Sequence, residues 1–439
     1  MIYLLFFAAL IVFNFWRLLW VFFTQDDFVL INEYANGKIS QELARVFSYP
    51  SVSHFRPLHD LYFFVNGNLF GLNYFFYHLV SFSFLILLTL FVFLSFKHLL
   101  KNSRAAFLAA VIFAVSPIHF TALGWISGGA LLISFFVYML GFLMITKNNS
   151  GVGLLLCLVS LLASEAMIVG ILILIIYYAL FKKNSLKKIS LLTLFGTLFV
   201  AFRFLLFTPS ATYDSYKIQF GQGNLYAGFY YLTKLLGFSG TGNDLFSSAI
   251  IATVSIYLVI KLVTYIYQSF TYKNIWLFFK KSENKILLFS FFIVVFGLLP
   301  FIVLPTHLSP HYSLIALYGT CLLWGFVFKH EAKLGLSYLV VILILFASYM
   351  NTSLLYRNSW VIDRSIVSQK YIDYLRDANI PDGSTLIFGD GSISSSREAY
   401  ISLGTGKAID LFFKGKGYSY CFDGLQTCTG TWQHVFYIQ

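Results

Sequence analysis

Long apolar runs alternate with short polar, mostly basic stretches along nearly the whole chain. Windows such as "FLILLTLFVFLSF" and "GILILIIYYALF" approach or exceed the length that crosses a bilayer, ~20 apolar residues as a helix. The pattern predicts spans near 2–23, 76–96, 105–122, 128–146, 189–207, 246–268, 286–305, 311–328 and 334–355. The stretch 152–181 is short for two full crossings, and predicts two short helices that meet near "ASEAM". That junction would put Glu165 on irregular backbone, which a membrane tolerates only where it lines protein or water. The expected fold is an all-α polytopic membrane protein with about eleven transmembrane helices.

Polar loops set the expected orientation. "KHLLKNSR" (97–104), "KKNSLKK" (182–188), "FFKKSENK" (278–285) and the weaker "KHEAK" (329–333) hold the basic residues, and basic loops stay in the cytoplasm. The N-terminus is then expected inside and the C-terminus outside. The first apolar segment has no basic leader and no small-residue cleavage site, so it reads as a retained signal-anchor. Residues 1–355 form the expected transmembrane domain, with outer loops 24–75 and 208–245, the second carrying a short interfacial amphipathic helix. Residues 356–439 read as a small extracytoplasmic α/β appendage: a helical pattern ("VSQKYIDYLRDAN"), a turn ("PDGS"), a strand ("TLIF") and a second helix-like run ("SREAYISLG").

Composition agrees with this reading. Of 439 residues, 59% are hydrophobic and 11% charged, far from the roughly 25% charged of soluble domains. The net charge of +12 sits in short loops and is explained by topology, so no nucleic-acid partner is expected. Cys157 and Cys321 fall in apolar spans, while Cys421 and Cys428 lie near the C-terminus and are candidates for a disulfide if that segment is outside the cytoplasm.

Candidate chemistry concentrates in a few segments. In "FFTQDDFVLI" (22–31), Asp26 and Asp27 interrupt an aromatic run just past the first span, where nothing topological calls for acid. Such a pair can hold a divalent cation, or one member can act as a general base; loop acids beside membranes are also common. The loop 54–79 contributes Arg56 before Pro57, a charge suited to a phosphate oxygen. It also holds His54, His59 and His78, although a lone interfacial histidine is usually structural. Pro117 and His119 follow, then Glu165, then His307, His311 and Tyr312; Arg203 is either a second phosphate partner or a snorkelling anchor. Arg17 lies deeper in the first span and takes no role in this reading. All of the outer segments fall on one face of the expected topology, which fits one cavity open to the outside and to lipid.

In this order, the segments resemble the membrane glycosyltransferases of the GT-C class over roughly residues 1–330. The likeness is greatest to the protein O-mannosyltransferases, the TPR-containing transmembrane O-mannosyltransferases and their bacterial relatives. It rests on the acidic pair Asp26 and Asp27, the Arg56–Pro57 element, "GLNYFFYH" (71–78), "SPIHFTALGWISGG" (116–129), "ASEAM" (163–167) and, loosely, "LSPHYSLIAL" (308–317). The chain departs from the family pattern at Ser164, where the family has Lys, at Gly129 and His311, where it has Arg, and at Ser81, often Asn. It also lacks the TPR array.

The resemblance implies a GT-C-like fold in a prokaryotic cell membrane. It implies inverting transfer of a sugar from a polyprenyl-phosphate donor to a hydroxyl of a protein or glycan acceptor on the outer face. Asp26 or Asp27 would be the base, and the other would position the acceptor or a divalent metal, which some members of the class use. Arg56, with His311 or Arg203, would hold the departing phosphate; His54, His78, His119, Glu165 and Tyr312 would line the cavity. An inactive scaffold of the same fold and a lipid or solute transporter are the rival readings.

Overall fold

The computed structural model describes residues 1–35, 38–47, 55–182, 185–206, 217–238, 245–270, 281–425 and 435–438. Its helices are α1 (Ile2–Phe15), α2 (Asp26–Tyr34), α3 (Ile39–Phe47), α4 (Pro57–Phe70), α5 (Tyr74–Leu100), α6 (Ser103–Val115), α7 (His119–Gly124), α8 (Ala130–Thr146), α9 (Ser150–Val159) and α10 (Ile168–Phe181). They continue as α11 (Leu186–Leu206), α12 (Gln222–Leu236), α13 (Leu245–Phe270), α14 (Ser282–Ile302), α15 (Leu314–His330), α16 (Leu334–Asn358) and α17 (Trp360–Asp377). The C-terminal unit adds β1 (Thr385–Phe388), α18 (Ser396–Ser402), α19 (Lys407–Phe412), β2 (Ser419–Phe422) and β3 (Val435–Ile438).

Among the described residues, seven helices are long and apolar enough to cross a membrane. Three shorter apolar helices, Ser103–Val115, Ser150–Leu162 and Glu165–Phe181, accompany them. The expected count of about eleven included the two short helices of 152–181 and a span at 105–122; the seven long helices account for fewer. The expected span 105–122 ends at Val115, because the residue before a proline is pushed out of helical conformation and Pro117 has no N–H to give. The stretch 152–181 does break as its length and Glu165 indicate: Ser164 is extended between the 3-10 turns Ser160–Leu162 and Glu165–Met167. At 1.5 Å per residue, Ser150–Leu162 reaches only about 20 Å, and the break that follows it packs against α4 and α8.

Small residues let the bundle close. The α8–α9 crossing is at Gly141 and Gly153, where an added methyl at Gly141 would lie 2.6 Å from the Gly153 carbonyl oxygen. Close backbone approach through small residues is the usual means of packing helices where water supplies no driving force between them. The most enclosed span is Pro310–His330, with 89% of its window buried, whereas Leu245–Ser269 is 17% buried and forms a lipid-facing edge.

The basic loops gather at one end. Lys285 Nζ donates to the Leu180 carbonyl at 2.8 Å, Lys329 meets Glu283 at 3.0 Å, and Lys188 donates to Ser150 Oγ at 3.0 Å. Helix α5 begins at the other end, where the acid pair and the 3-10 turns lie.

The C-terminal unit is a parallel three-stranded sheet in the order β2-β1-β3, with Phe388 opposite Phe422 and Ile438. Its apolar face is not self-contained. Tyr371, Leu386, Phe388, Leu403 and Phe422 share one core with Phe22, Phe23, Phe28 and Tyr77 of the outer-loop region. The sheet therefore rests on the segment that carries the acid pair.

Candidate functional site

Asp26 and Asp27 open α2, where acidic side chains sit favourably at the positive end of the helix dipole. They differ completely in surroundings. Asp26 is exposed, whereas Asp27 is fully buried. The two Asp27 oxygens accept the Thr24 N–H at 3.1 Å and the Ser127 N–H at 2.7 Å. Burial pushes the Asp27 carboxyl up to about 7, with the Ser127 and Thr24 N–H groups opposing that rise and the nearby Asp26 charge adding to it. Asp27 thereby ties α2 to the 3-10 turn Ser127–Gly129, within the "WISGG" segment one hundred residues downstream. Both its oxygens are thus engaged by backbone donors.

The residue before the pair is held just as firmly. Gln25 has φ +54°, a conformation that costs a non-glycine residue of order 1–3 kcal/mol. The C-terminal unit restrains it: Gln25 N–H donates to the Ser402 carbonyl at 2.9 Å, and Arg364 Nη1 donates to Gln25 Oε1 at 3.1 Å. Arg364 is itself paired at 2.5 Å with Glu398. Gly404 packs directly over the Gln25 carbonyl, where a Cβ would come within 2.5 Å of the oxygen. Sequence reasoning did not single out Gln25, Thr24, Ser127 or Arg364, and no local pattern marks them.

Arg56 caps α4, with Pro57 at its first turn as proline's fixed φ favours. Its fork meets the 160–167 break: Nε lies 2.7 Å from Glu165 Oε2, and Nη2 donates to Glu165 Oε1 at 3.1 Å. Both side chains keep about a quarter of their surface exposed, 28% and 25%. The Arg expected to meet phosphate is thus joined bidentately to the Glu expected to line the cavity. Asp60, one helical turn on, takes a hydrogen bond from the Tyr34 hydroxyl; burial first and the Glu33 charge next push its carboxyl up to about 7, against Tyr34 and Arg56. The sequence signal for Asp60 was present, an acid four residues after Arg56.

His311 is buried within electrostatic reach of Arg56 and His307. Its Nδ1 is 2.7 Å from Ser309 Oγ, and its ring packs on Tyr312 at 4.2 Å and edge-on to Trp125 at 6.1 Å. Tyr312 lies 2.7 Å from His307 Nε2 and stacks on Phe301. Burial holds His307 below the usual histidine range. Trp125 also meets Trp360 at the start of α17, so the C-terminal unit closes this side too.

Two further histidines, His78 and His119, fasten elements together. His78 places Nδ1 2.7 Å from the Leu123 carbonyl and Nε2 2.8 Å from the Val21 carbonyl, binding α5 to the end of the first span and to α7. His119 lies 2.7 Å from the Phe113 carbonyl across the Pro117 turn and edge-on to Phe113 and Phe15. His54 and Cys428 fall outside the described residues, as does the side chain of Arg203 in α11. Cys421 is disulfide-bonded.

Asp27, Arg56, Glu165, His311 and Tyr312 are thus drawn to one end of the bundle by α2, α4, α7 and four short 3-10 turns that pack on one another. The fold and its apolar helices define an integral membrane protein. Compared with known protein families and with curated protein sequences, the chain matches none of them.

Proposed function

We propose that this protein is a membrane glycosyltransferase that moves a sugar from a polyprenyl-phosphate donor to an acceptor hydroxyl at the outer face. The observation that carries the reading is the Arg56–Glu165 pair, which brings the acid-bearing loop onto the helix break at the end of the bundle opposite the basic loops. A cation and acids gathered beside apolar helices suit a substrate with a lipid tail, a phosphate and a hydroxyl acceptor.

In this reading Asp26 is the general base. It is exposed at a helix start held by Gln25 and Asp27, and takes the acceptor proton as the hydroxyl attacks the anomeric carbon. The C–O bond to phosphate breaks, and Arg56, oriented by Glu165, stabilises the charge on the departing polyprenyl phosphate. Asp27 positions the loop and takes no proton from substrate.

The test is transfer from radiolabelled polyprenyl-phosphate sugars by the full chain in nanodiscs. Asp26→Asn is expected to lower transfer by about 10²–10⁴-fold with unchanged thermal stability, the range for loss of a positioned base. Asp27→Asn is expected to lower it less and to affect stability more. Full transfer by Asp26→Asn would remove the base assignment. Donor binding without turnover by wild type, across a broad panel of sugars and acceptors, would replace the reading with an inactive scaffold or a carrier.

A further inference from the structure

We propose that a cleft beside Arg17, whose lining includes neither Asp26 nor Asp27, binds a phosphate group. Arg17 lies in the 3-10 turn Trp16–Trp20 that ends the first span. Its guanidinium rests on two aromatic faces, 5.8 Å from the Trp16 ring centroid and 5.5 Å from that of Tyr356. Among the described residues no carboxylate pairs with it, whereas Arg56 and Arg364 each hold a glutamate. A cation on a membrane helix is costly, and ring faces return only about 0.5–2 kcal/mol.

The surroundings supply what an anion needs. The cleft is lined by Arg17, Thr352, Ser353 and Tyr356, with Phe13 and Trp16 as its outward walls. Asn14 Nδ2 donates to Thr352 Oγ1 at 3.2 Å, so the Thr352 hydroxyl proton is directed elsewhere, and Ser353 adds a second hydroxyl. A planar fork with two hydroxyls matches tetrahedral phosphate oxygens. Phe13, Trp16 and Trp20 are all exposed, and tryptophans in such numbers mark the depth of the lipid headgroups. A snorkelling arginine would need the aromatic rings but no hydroxyl-bearing residues lining the same cleft. The same phosphate chemistry could reach the cleft on a lipid or as a free anion.

The experiment is native mass spectrometry of the full chain released from phosphatidylglycerol nanodiscs. Wild type is expected to retain one lipid. Arg17→Gln is expected to lose it by about tenfold or more, as for a lost charge-assisted hydrogen bond. Ser353→Leu, which fills the cleft without changing charge, is expected to lose it as well, and keeps the test valid if Arg17→Gln folds poorly. Arg357→Gln, an exposed cation outside the cleft, is expected to retain it. Displacement of the lipid by inorganic phosphate assigns the site to the free anion; resistance to it assigns the site to the lipid. Equal retention by wild type, Arg17→Gln and Ser353→Leu, or equal loss in Arg357→Gln, overturns the proposal.

Discussion

The two ends of the bundle handle buried charge in opposite ways. At the basic end, Glu331 meets Lys261 at 2.6 Å and accepts from Tyr257 at 2.7 Å, and the Lys261 ammonium holds its carboxyl down at about 2. At the acid-pair end, Asp27 and Asp60 are both pushed up to about 7, chiefly by burial. One end gives its acid a lysine and keeps it ionised. The other end surrounds acids with backbone donors, a tyrosine and apolar rings, and leaves them near the protonation midpoint at neutral pH. Groups of that kind cluster at functional sites, although structural networks perturb carboxyls as well.

The largest stability effect that tests this contrast comes from Asp27→Ala. It leaves the buried Thr24 and Ser127 N–H groups without their acceptor, a loss of about 3 kcal/mol when both are counted. Asp27→Asn keeps one acceptor and is expected to lose about half as much. Thermal unfolding at pH 6 in a single detergent, where the carboxyl is mostly protonated, checks both. Equal stability of Asp27→Ala and wild type would mean that the α2 corner is held by the C-terminal unit alone.

That corner also shows what the chain's pattern could and could not reveal. Apolar runs placed seven of the nine named spans on helices long and apolar enough to cross, because a bilayer demands length and apolarity of any helix that crosses it. Glu165, in a stretch too short for two crossings, located the break. The strand "TLIF" was legible at 385–388, but "SYCF" and "VFYI" were not, since four-residue parallel strands show no alternation to read. The division of labour between Asp26 and Asp27 was hidden as well. It depends on α2 starting at Asp26, which turns the next side chain into the core, and on a C-terminal unit that restrains Gln25 from more than 300 residues away. Arg56 and Glu165, likewise, were each marked by their own segment, and only tertiary structure pairs them across 109 positions.

A smaller effect is expected in the pH profile of Asp60→Asn. The carboxyl binds its proton more tightly folded than unfolded, so its contribution to stability is complete below about pH 4 and declines as pH rises through about 7. The slope is a fraction of the maximal ~1.4 kcal/mol per pH unit. Asn keeps an acceptor for Tyr34 and cannot titrate, so the variant is expected to show a flatter profile than wild type between pH 4 and 7, measured as melting temperature across buffers. An unchanged profile would move the titration to Asp27 alone.

The smallest effect is at the other end and has the opposite sign. Glu331→Gln removes the charge that faces Lys261, whose side chain is 40% exposed, so solvent screening limits the loss to about 1 kcal/mol at neutral pH. Because the Glu331 carboxyl is held at about 2, its contribution is present above about pH 4.5 and is lost as pH falls towards 2. Wild type and Glu331→Gln should therefore converge as pH falls below about 4.5, while wild type and Asp60→Asn should diverge as it falls from about 7 to 4. Gln retains an acceptor for the Tyr257 hydroxyl, which confines the difference to charge. Melting temperatures of the three proteins in one buffer series read both trends at once. If both variants drift from wild type in the same direction, the two ends do not hold their carboxyls on opposite sides of the usual range, and the contrast between them fails.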